Sequence, residues 1–359
     1  MNIRVQRSII RAACLVLVGS IALAQSPGPI AQGAAAGRAV LLNPKVVASF
    51  ECNSTHCFLV ESITLDHKGN IYGSLSDWIG TCGVVKITPK GEQTMIAALP
   101  SNACALGIML GVAFDEHNRL HVIFWSWGPD ASTGVYRVEE NGSLTLVFQL
   151  PTNIWPNIWP NGLAFRDGNI YVSDSTLGAI WRKAPGDSVI ANAPWYQDAI
   201  LAPPTPDYWG ANGIAFYGNS LYISVSYASA DGTTGSIVRL PIMKDGSPGT
   251  AEYFVPPDPD LRAVDGIAFD VLGGLWFATN SNPNTDPAIG GRVGVVGWDR
   301  KVRILWDDPA WLDYTSMVAF GTTFDTLGTL FVSNGGMLTG RPDVVSVFVG
   351  IPGLPLPAR

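Results

Sequence analysis

Short runs in which apolar and polar residues alternate recur along the whole chain, broken by Gly, Asp and Asn. Alternation with period two marks strands that bury one face, and the breakers mark turns. One run returns as a recognisable word. It reads ESITLD from Glu61, LGVAFD from Leu110, NGLAF from Asn161, NGIAF from Asn212, DGIAFD from Asp265 and SMVAF from Ser316. Successive copies start 49, 51, 51, 53 and 51 residues apart. Self-similarity at such a period predicts an array or a propeller. After most copies comes a turn (DHKGN, DEHNR, RDGN, YGNS, DVLGG), then an alternating run such as IYVSDS or LYISVS, then a third such as GVVKIT or SIVRLP. Fourth runs close four units: QTMIAALP, LTLVFQLP, AEYFVPP and KVRILWDD. Four antiparallel strands in each of six units make an all-β, six-bladed β-propeller.

The last unit lacks its own fourth strand and finishes at VVSVFVG, whereas an unassigned run, KVVASFE at 45–51, precedes the first word. Pairing that N-terminal strand into the last blade closes the ring and hides its sheet edges. The expected organisation is therefore a signal peptide at 1–24, a flexible leader at 25–44, the propeller at 45–350 and a proline-rich tail at 351–359.

With the word on the innermost strand of each blade, its first letter stands at one height around the central channel. These letters are Glu61, Leu110, Asn161, Asn212, Asp265 and Ser316. Carboxylates and amide oxygens converging on one axis are costly without a counter-ion. Hard oxygen donors favour Ca2+, with Mg2+ or Mn2+ ranked behind it. The expected ligands are Glu61, Asn161, Asn212 and Asp265. Asn-Gly and Asp-Gly are also ordinary turn formers, a reading that their repetition in phase disfavours.

These motifs, in this order, resemble the senescence marker protein/gluconolactonase family of calcium-dependent six-bladed propellers, which is related to diisopropylfluorophosphatase and the paraoxonases. VES at Glu61, PNGLAF at Asn161 and VDGIAFD at Asp265 resemble the family's ligand motifs, and Asn212 matches the extra Asn of the phosphatase and paraoxonase branch. The resemblance spans about 45–350 and implies a calcium-dependent hydrolase of a lactone or related ester. Two positions depart from it. Leu110 replaces a polar residue, and Ser316 stands where the phosphatase and paraoxonase branches place a histidine.

The ring contains no His or Cys, and His56, His67, His117 and His121 all lie outside it. A hydrolytic base then falls to a carboxylate: Asp265 first, Glu61 second. The second strand of each blade returns to the same face, so its end lines the entrance. That places Asp77, Trp125, Asp174, Tyr227, Asn280 and Asn334, with Ser316 from the ring, at a small-molecule substrate. Loops there differ from blade to blade, as in SNPNTDPAIGG at 281–291, and the tandem WPNIWPN at 155–161 leads into Asn161. The alternative reading is a non-catalytic recognition propeller using the same face. A metal-free propeller resembling strictosidine synthase is a third, weakened by the presence of all four oxygen ligands.

Composition adjusts this picture at the edges. Arg4, Arg7 and Arg11 precede a short apolar run ending at Ala22 and Ala24, the pattern of a cleaved secretory signal. A secreted or periplasmic protein with no stable membrane insertion after cleavage follows. The formal charge is −7, and loss of those three arginines takes the mature chain to −10, which argues against nucleic acid. Beyond Cys14 the chain keeps Cys52, Cys57, Cys82 and Cys104, an even set that predicts disulfides in an exported protein, with three pairings open. Oligomeric state is not legible.

Overall fold

The computed structural model describes residues 42–53, 57–151, 158–280, 290–336 and 339–356. The signal peptide, nearly all of the leader, His56, the first part of WPNIWPN and most of the 281–291 loop lie outside them. Six four-stranded antiparallel sheets form six blades. Their innermost strands are Leu59–Leu65, Gly107–Phe114, Pro160–Arg166, Ala211–Tyr217, Val264–Phe269 and Thr315–Phe320. Each carries the recurring word. The second strands, Ile71–Ser76, Leu120–Ser126, Asn169–Asp174, Ser220–Val225, Leu275–Thr279 and Thr329–Asn334, return beside them.

The N-terminal strand is Leu42–Ser49, starting three residues before the expected boundary, and it pairs antiparallel with Asp343–Phe348 of the last blade. The outer strand of blade 3, for which no alternating run is evident, is only Tyr196–Gln197. The proline-rich tail does not hang free. Val271 donates its N–H to Pro352 O, and Leu354 donates to Phe269 O, so the tail lies against the turn of blade 5.

Apolar side chains gather in six clusters, one at each junction between neighbouring blades. Blades 5 and 6, for example, meet through Trp276, Ala278, Leu330 and Val332. Blades 1 and 2 meet through Val84, Val112, Val122 and Phe124. Each fully buried aliphatic side chain contributes about 1.5–3 kcal/mol. The blades therefore hold one another, and the ring stands or falls as a whole. The aspartate that ends several copies of the word has a local task. Asp66 Oδ1 accepts from the N–H groups of Lys68 and Asn70, Asp115 Oδ1 from those of His117 and Arg119, and Asp270 Oδ1 from those of Leu272 and Gly274. Each folds the turn at the end of the channel remote from the ring. Cys52 pairs with Cys57 and Cys82 with Cys104. No helix among the described residues is long and apolar enough to cross a membrane.

Candidate metal centre at the propeller axis

Every innermost strand breaks register at the ring position. In blade 1 Val60 pairs with Leu75 and Ile63 with Gly73, so Glu61 and Ser62 oppose Ser74 alone. In blade 3 Asn161 and Gly162 oppose Ser173, in blade 4 Asn212 and Gly213 oppose Ser224, and in blade 5 Asp265 and Gly266 oppose Ala278. Two residues against one is a β-bulge, which bends the strand and re-aims a side chain. The ring letters thus leave the alternation of their strands.

Glycine is required beside them because the strands crowd at the axis. A Cβ on Gly162 would meet Asn212 O at 2.5 Å, and one on Gly213 would collide with Asp265 O. Serines fill the bulges. Ser74 Oγ accepts from Ser62 N at 3.0 Å and Ser173 Oγ from Gly162 N at 2.8 Å. Ser173 Oγ donates onward to Asn212 O, and Ser224 Oγ to Asp265 O at 2.6 Å, linking blade 3 to blade 4 and blade 4 to blade 5. Ser316 Oγ donates to Val60 O at 3.1 Å and links blade 6 to blade 1.

A second serine orients each ring amide. Ser175 Oγ donates to Ala211 O at 2.6 Å and Ser226 Oγ donates to Val264 O at 2.8 Å. With its proton committed, each hydroxyl has only lone pairs to offer the asparagine beside it. Accordingly Asn161 Nδ2 donates to Ser175 Oγ at 3.4 Å and Asn212 Nδ2 to Ser226 Oγ at 3.0 Å. Both amides present their oxygens away from the serines. Asn212 Oδ1 is buried and has no hydrogen-bond partner among the described residues. Leaving a buried acceptor unsatisfied costs about 1–3 kcal/mol, which a cation at that point removes.

The two carboxylates feel each other. Burial raises Glu61 to about 7. Asp265 is pushed well above the usual carboxylate range by burial first and by the Glu61 charge second, while a hydrogen bond from Asn212 draws it down. Asn280 Nδ2 donates to Asp265 Oδ2 at 2.5 Å. Tyr314 completes the surroundings. It sits just before the innermost strand of blade 6 with φ of 54°, the left-handed region that a tyrosine seldom occupies. Its phenol is pushed upward by burial, then by the charges of Glu61, Asp265 and Tyr227.

The donor chemistry fits one hard cation: two carboxylates, an orphaned amide oxygen and a second amide oriented the same way. Among the described residues no three His, Cys, Asp or Glu side chains cluster for a metal. Leu110 is buried and supplies no donor. The described histidines are elsewhere. His117 and His121 line a cleft of about 300 Å³ between blades 2 and 3 at the remote end of the channel, where Arg119 and Arg137 are already paired with Asp115 and Glu139.

The residues expected at the entrance divide sharply. Asn280 hydrogen-bonds to Asp265, and Tyr227 is buried with its ring 4.6 Å from that of Tyr208. Asp77 Oδ1 accepts from the N–H groups of Ile79, Gly80 and Thr81, and Asp174 Oδ1 from those of Trp159, Thr176 and Leu177. Asn334 accepts from Thr315 Oγ1 and donates to Trp311 O and to Asp343 Oδ1. Their polar atoms hold loops together. Trp125 is buried between Trp127 and Trp159, with ring centroids 4.9 and 4.2 Å away. Sequence reasoning missed Ser175, Ser226 and Tyr314. The serines had a visible signal, the Ser-x-Ser spacing in GSLS, VSDS and ISVS on three second strands.

Fold and site together define a six-bladed β-propeller with an oxygen-lined axial centre. No protein-family model matches the sequence, and neither does any curated protein. Among solved structures, a calcium-binding protein, regucalcin, from Agrobacterium tumefaciens superposes with a TM-score of 0.55 at 16% identity, over 88% of this chain and 97% of that one. A luciferin-regenerating enzyme gives 0.51 at 14% identity, over 83% and 94%. A protein described as a candidate oxidoreductase (glucose dehydrogenase) from Thermus thermophilus gives 0.54 at 16% identity, over 86% and 100%. These likenesses establish the fold, which hosts different activities.

Proposed function

We propose that the chain is an exported, calcium-dependent hydrolase of a lactone or related ester, with Glu61, Asn161, Asn212 and Asp265 as the residues that would hold Ca2+. The observation that carries this reading is the orphaned, serine-oriented oxygen of Asn212 beside two mutually repelling buried carboxylates. When bound, Ca2+ would polarise the substrate carbonyl oxygen and offset the carboxylate charge. Asn280 holds Asp265 Oδ2, and the Asp265 carboxylate would take a proton from the attacking water. Water oxygen bonds to the carbonyl carbon, the ring or ester C–O bond breaks, and the proton passes to the leaving oxygen. The regucalcin-type neighbour supports a divalent ion, and the two disulfides support an oxidising compartment.

The test is hydrolysis of lactones and aryl esters by the purified mature chain, with Ca2+ and after EDTA, alongside Asp265→Asn. Chelation and substitution should each lower kcat/KM by about 100-fold or more. Activity indifferent to both removes the mechanism. Tight Ca2+ binding without turnover of any substrate favours the recognition propeller instead.

A further inference from the structure

We propose that the end of the propeller remote from the axial ring is a lipid-binding face. Apolar turns of blades 5 and 6 enter the interface of an anionic bilayer, and lysines around them meet its phosphates. The proposal goes beyond the hydrolase reading and does not depend on it. At this end a turn joins the first strand of each blade to the second. Those of blades 1 to 3 carry polar tips: His67 and Lys68, then Glu116, His117 and Asn118, then Asp167. Blade 5 instead presents Val271 and Leu272, and blade 6 presents Phe324 and Leu327, all exposed. Trp298 tips the next turn of blade 5, between its third and fourth strands. It is 77% exposed and Phe324 93% exposed, so neither side chain contributes much to the core. Large apolar groups left together in water mark a binding surface.

These tips belong to one surface. A Cβ on Gly273 would meet Trp298 Cζ2 at 3.3 Å, so the indole lies against the turn that carries Val271 and Leu272. A Cβ on Gly328 would meet Phe348 Cε2 at 3.2 Å, which sets that exposed ring beside Leu327. The tail straps the two groups together. Val349 and Gly350 donate their N–H groups to Gly328 O at 2.8 and 3.0 Å, and Pro352 O accepts from Val271 N at 2.9 Å. The apolar side chains therefore stand on backbone that is hydrogen-bonded in place across two blades.

Charge selects the occupant. Lys68, Lys244 and Lys301 are exposed on the flanking turns of blades 1, 4 and 5, and none forms a salt bridge among the described residues. A Cβ on Gly69 would meet Thr323 Cγ2 at 2.9 Å, so the turn with Lys68 adjoins the one with Phe324. Acids nearby are largely committed. Asp299 pairs with Arg303 at 2.6 Å, and Asp245 Oδ1 accepts from the N–H and Oγ of Ser247. Asp325 stands exposed against the lysines. In a chain of formal charge −7, the free charge around this patch is thus mainly positive. A second copy pressed against it would set lysines against lysines. An anionic bilayer meets them with phosphates and takes tryptophan at its interface.

The experiment is flotation of the purified mature chain with vesicles of phosphatidylcholine, alone or mixed with phosphatidylglycerol, at low and high salt. Binding should rise with phosphatidylglycerol and fall with salt. Trp298→Ser combined with Phe324→Ser should weaken it roughly tenfold or more. Lys68→Gln, Lys244→Gln and Lys301→Gln together should weaken it about tenfold on the anionic vesicles and remove the salt dependence. These side chains are exposed, so melting temperatures should stay at the wild-type value. Ile79→Ser, exposed at the mouth end, should bind as the wild type does. Brominated acyl chains should quench the tryptophan fluorescence of the wild type more than that of Trp298→Phe. Undiminished binding by the tip variant, or equal loss with Ile79→Ser, overturns the proposal. Failure to float also overturns it. If ultracentrifugation then shows a dimer that Trp298→Ser disperses, the face belongs to a second copy.

Discussion

At the scale of single residues, two kinds of polar group coexist in this molecule, and their surroundings separate them. Asp66, Asp115 and Asp270 are surrounded by backbone N–H groups and fold turns. Asp265 faces a carboxylate, two asparagines and a phenol, which is an arrangement costly for folding and useful for binding. His121 belongs to the first kind. It is buried, with Nδ1 2.9 Å from Arg119 O and its ring 4.7 Å from Phe165. Burial lowers it to about 4, below the 6.5 of an exposed histidine. The unfolded chain therefore takes up its proton first, and stability falls as pH drops from 6.5 towards 4. Urea midpoints should show the wild type losing about 2 kcal/mol more than His121→Leu between pH 7 and 4.5. Parallel pH profiles would contradict this account.

At the scale of the strand, the bulge is the device that makes the site. It turns Glu61, Asn161, Asn212 and Asp265 out of the alternation of their strands, and the following residue, glycine in three of the four, pays no steric penalty for the close approach that results. Gly213→Ala should accordingly destabilise by about 1–3 kcal/mol, since its Cβ would strike Asp265 O, and it should weaken Ca2+ binding by moving that carboxylate. Gly218→Ala, where a Cβ meets nothing within 4 Å but φ is positive, separates backbone strain from crowding. It should cost stability without touching Ca2+ affinity, measured by calorimetric titration. The recurring word and its turns were legible in the sequence because their pattern is local. The bulge was not, because a two-for-one register is a relation between strands that no single strand carries.

At the scale of the whole molecule, the ring is closed by Leu42–Ser49 pairing with Asp343–Phe348, and every apolar cluster bridges two blades. Removing residues 42–49 exposes the edge of Asp343–Phe348 and part of the cluster holding Ala48, Val60 and Val344. The truncated chain should melt at a markedly lower temperature, in a single transition, because no blade owns a core of its own. Separate melting of the first and last blades would show that closure is not cooperative. Cys52–Cys57 lies just beyond the closing strand, and Cys82–Cys104 joins blades 1 and 2.

Periodicity along the chain was enough to predict six blades, the closing strand and the recurring word on each innermost strand, since strand alternation and turn chemistry are written into neighbouring positions. The same information placed Asp77, Asp174 and Asn334 at the mouth but could not tell what their side chains would bind. Which cysteines pair, which hydroxyl orients which amide, and which aromatic rings pack against one another depend on residues brought together across blades. Only packing of the closed ring brings those groups within hydrogen-bonding or van der Waals reach.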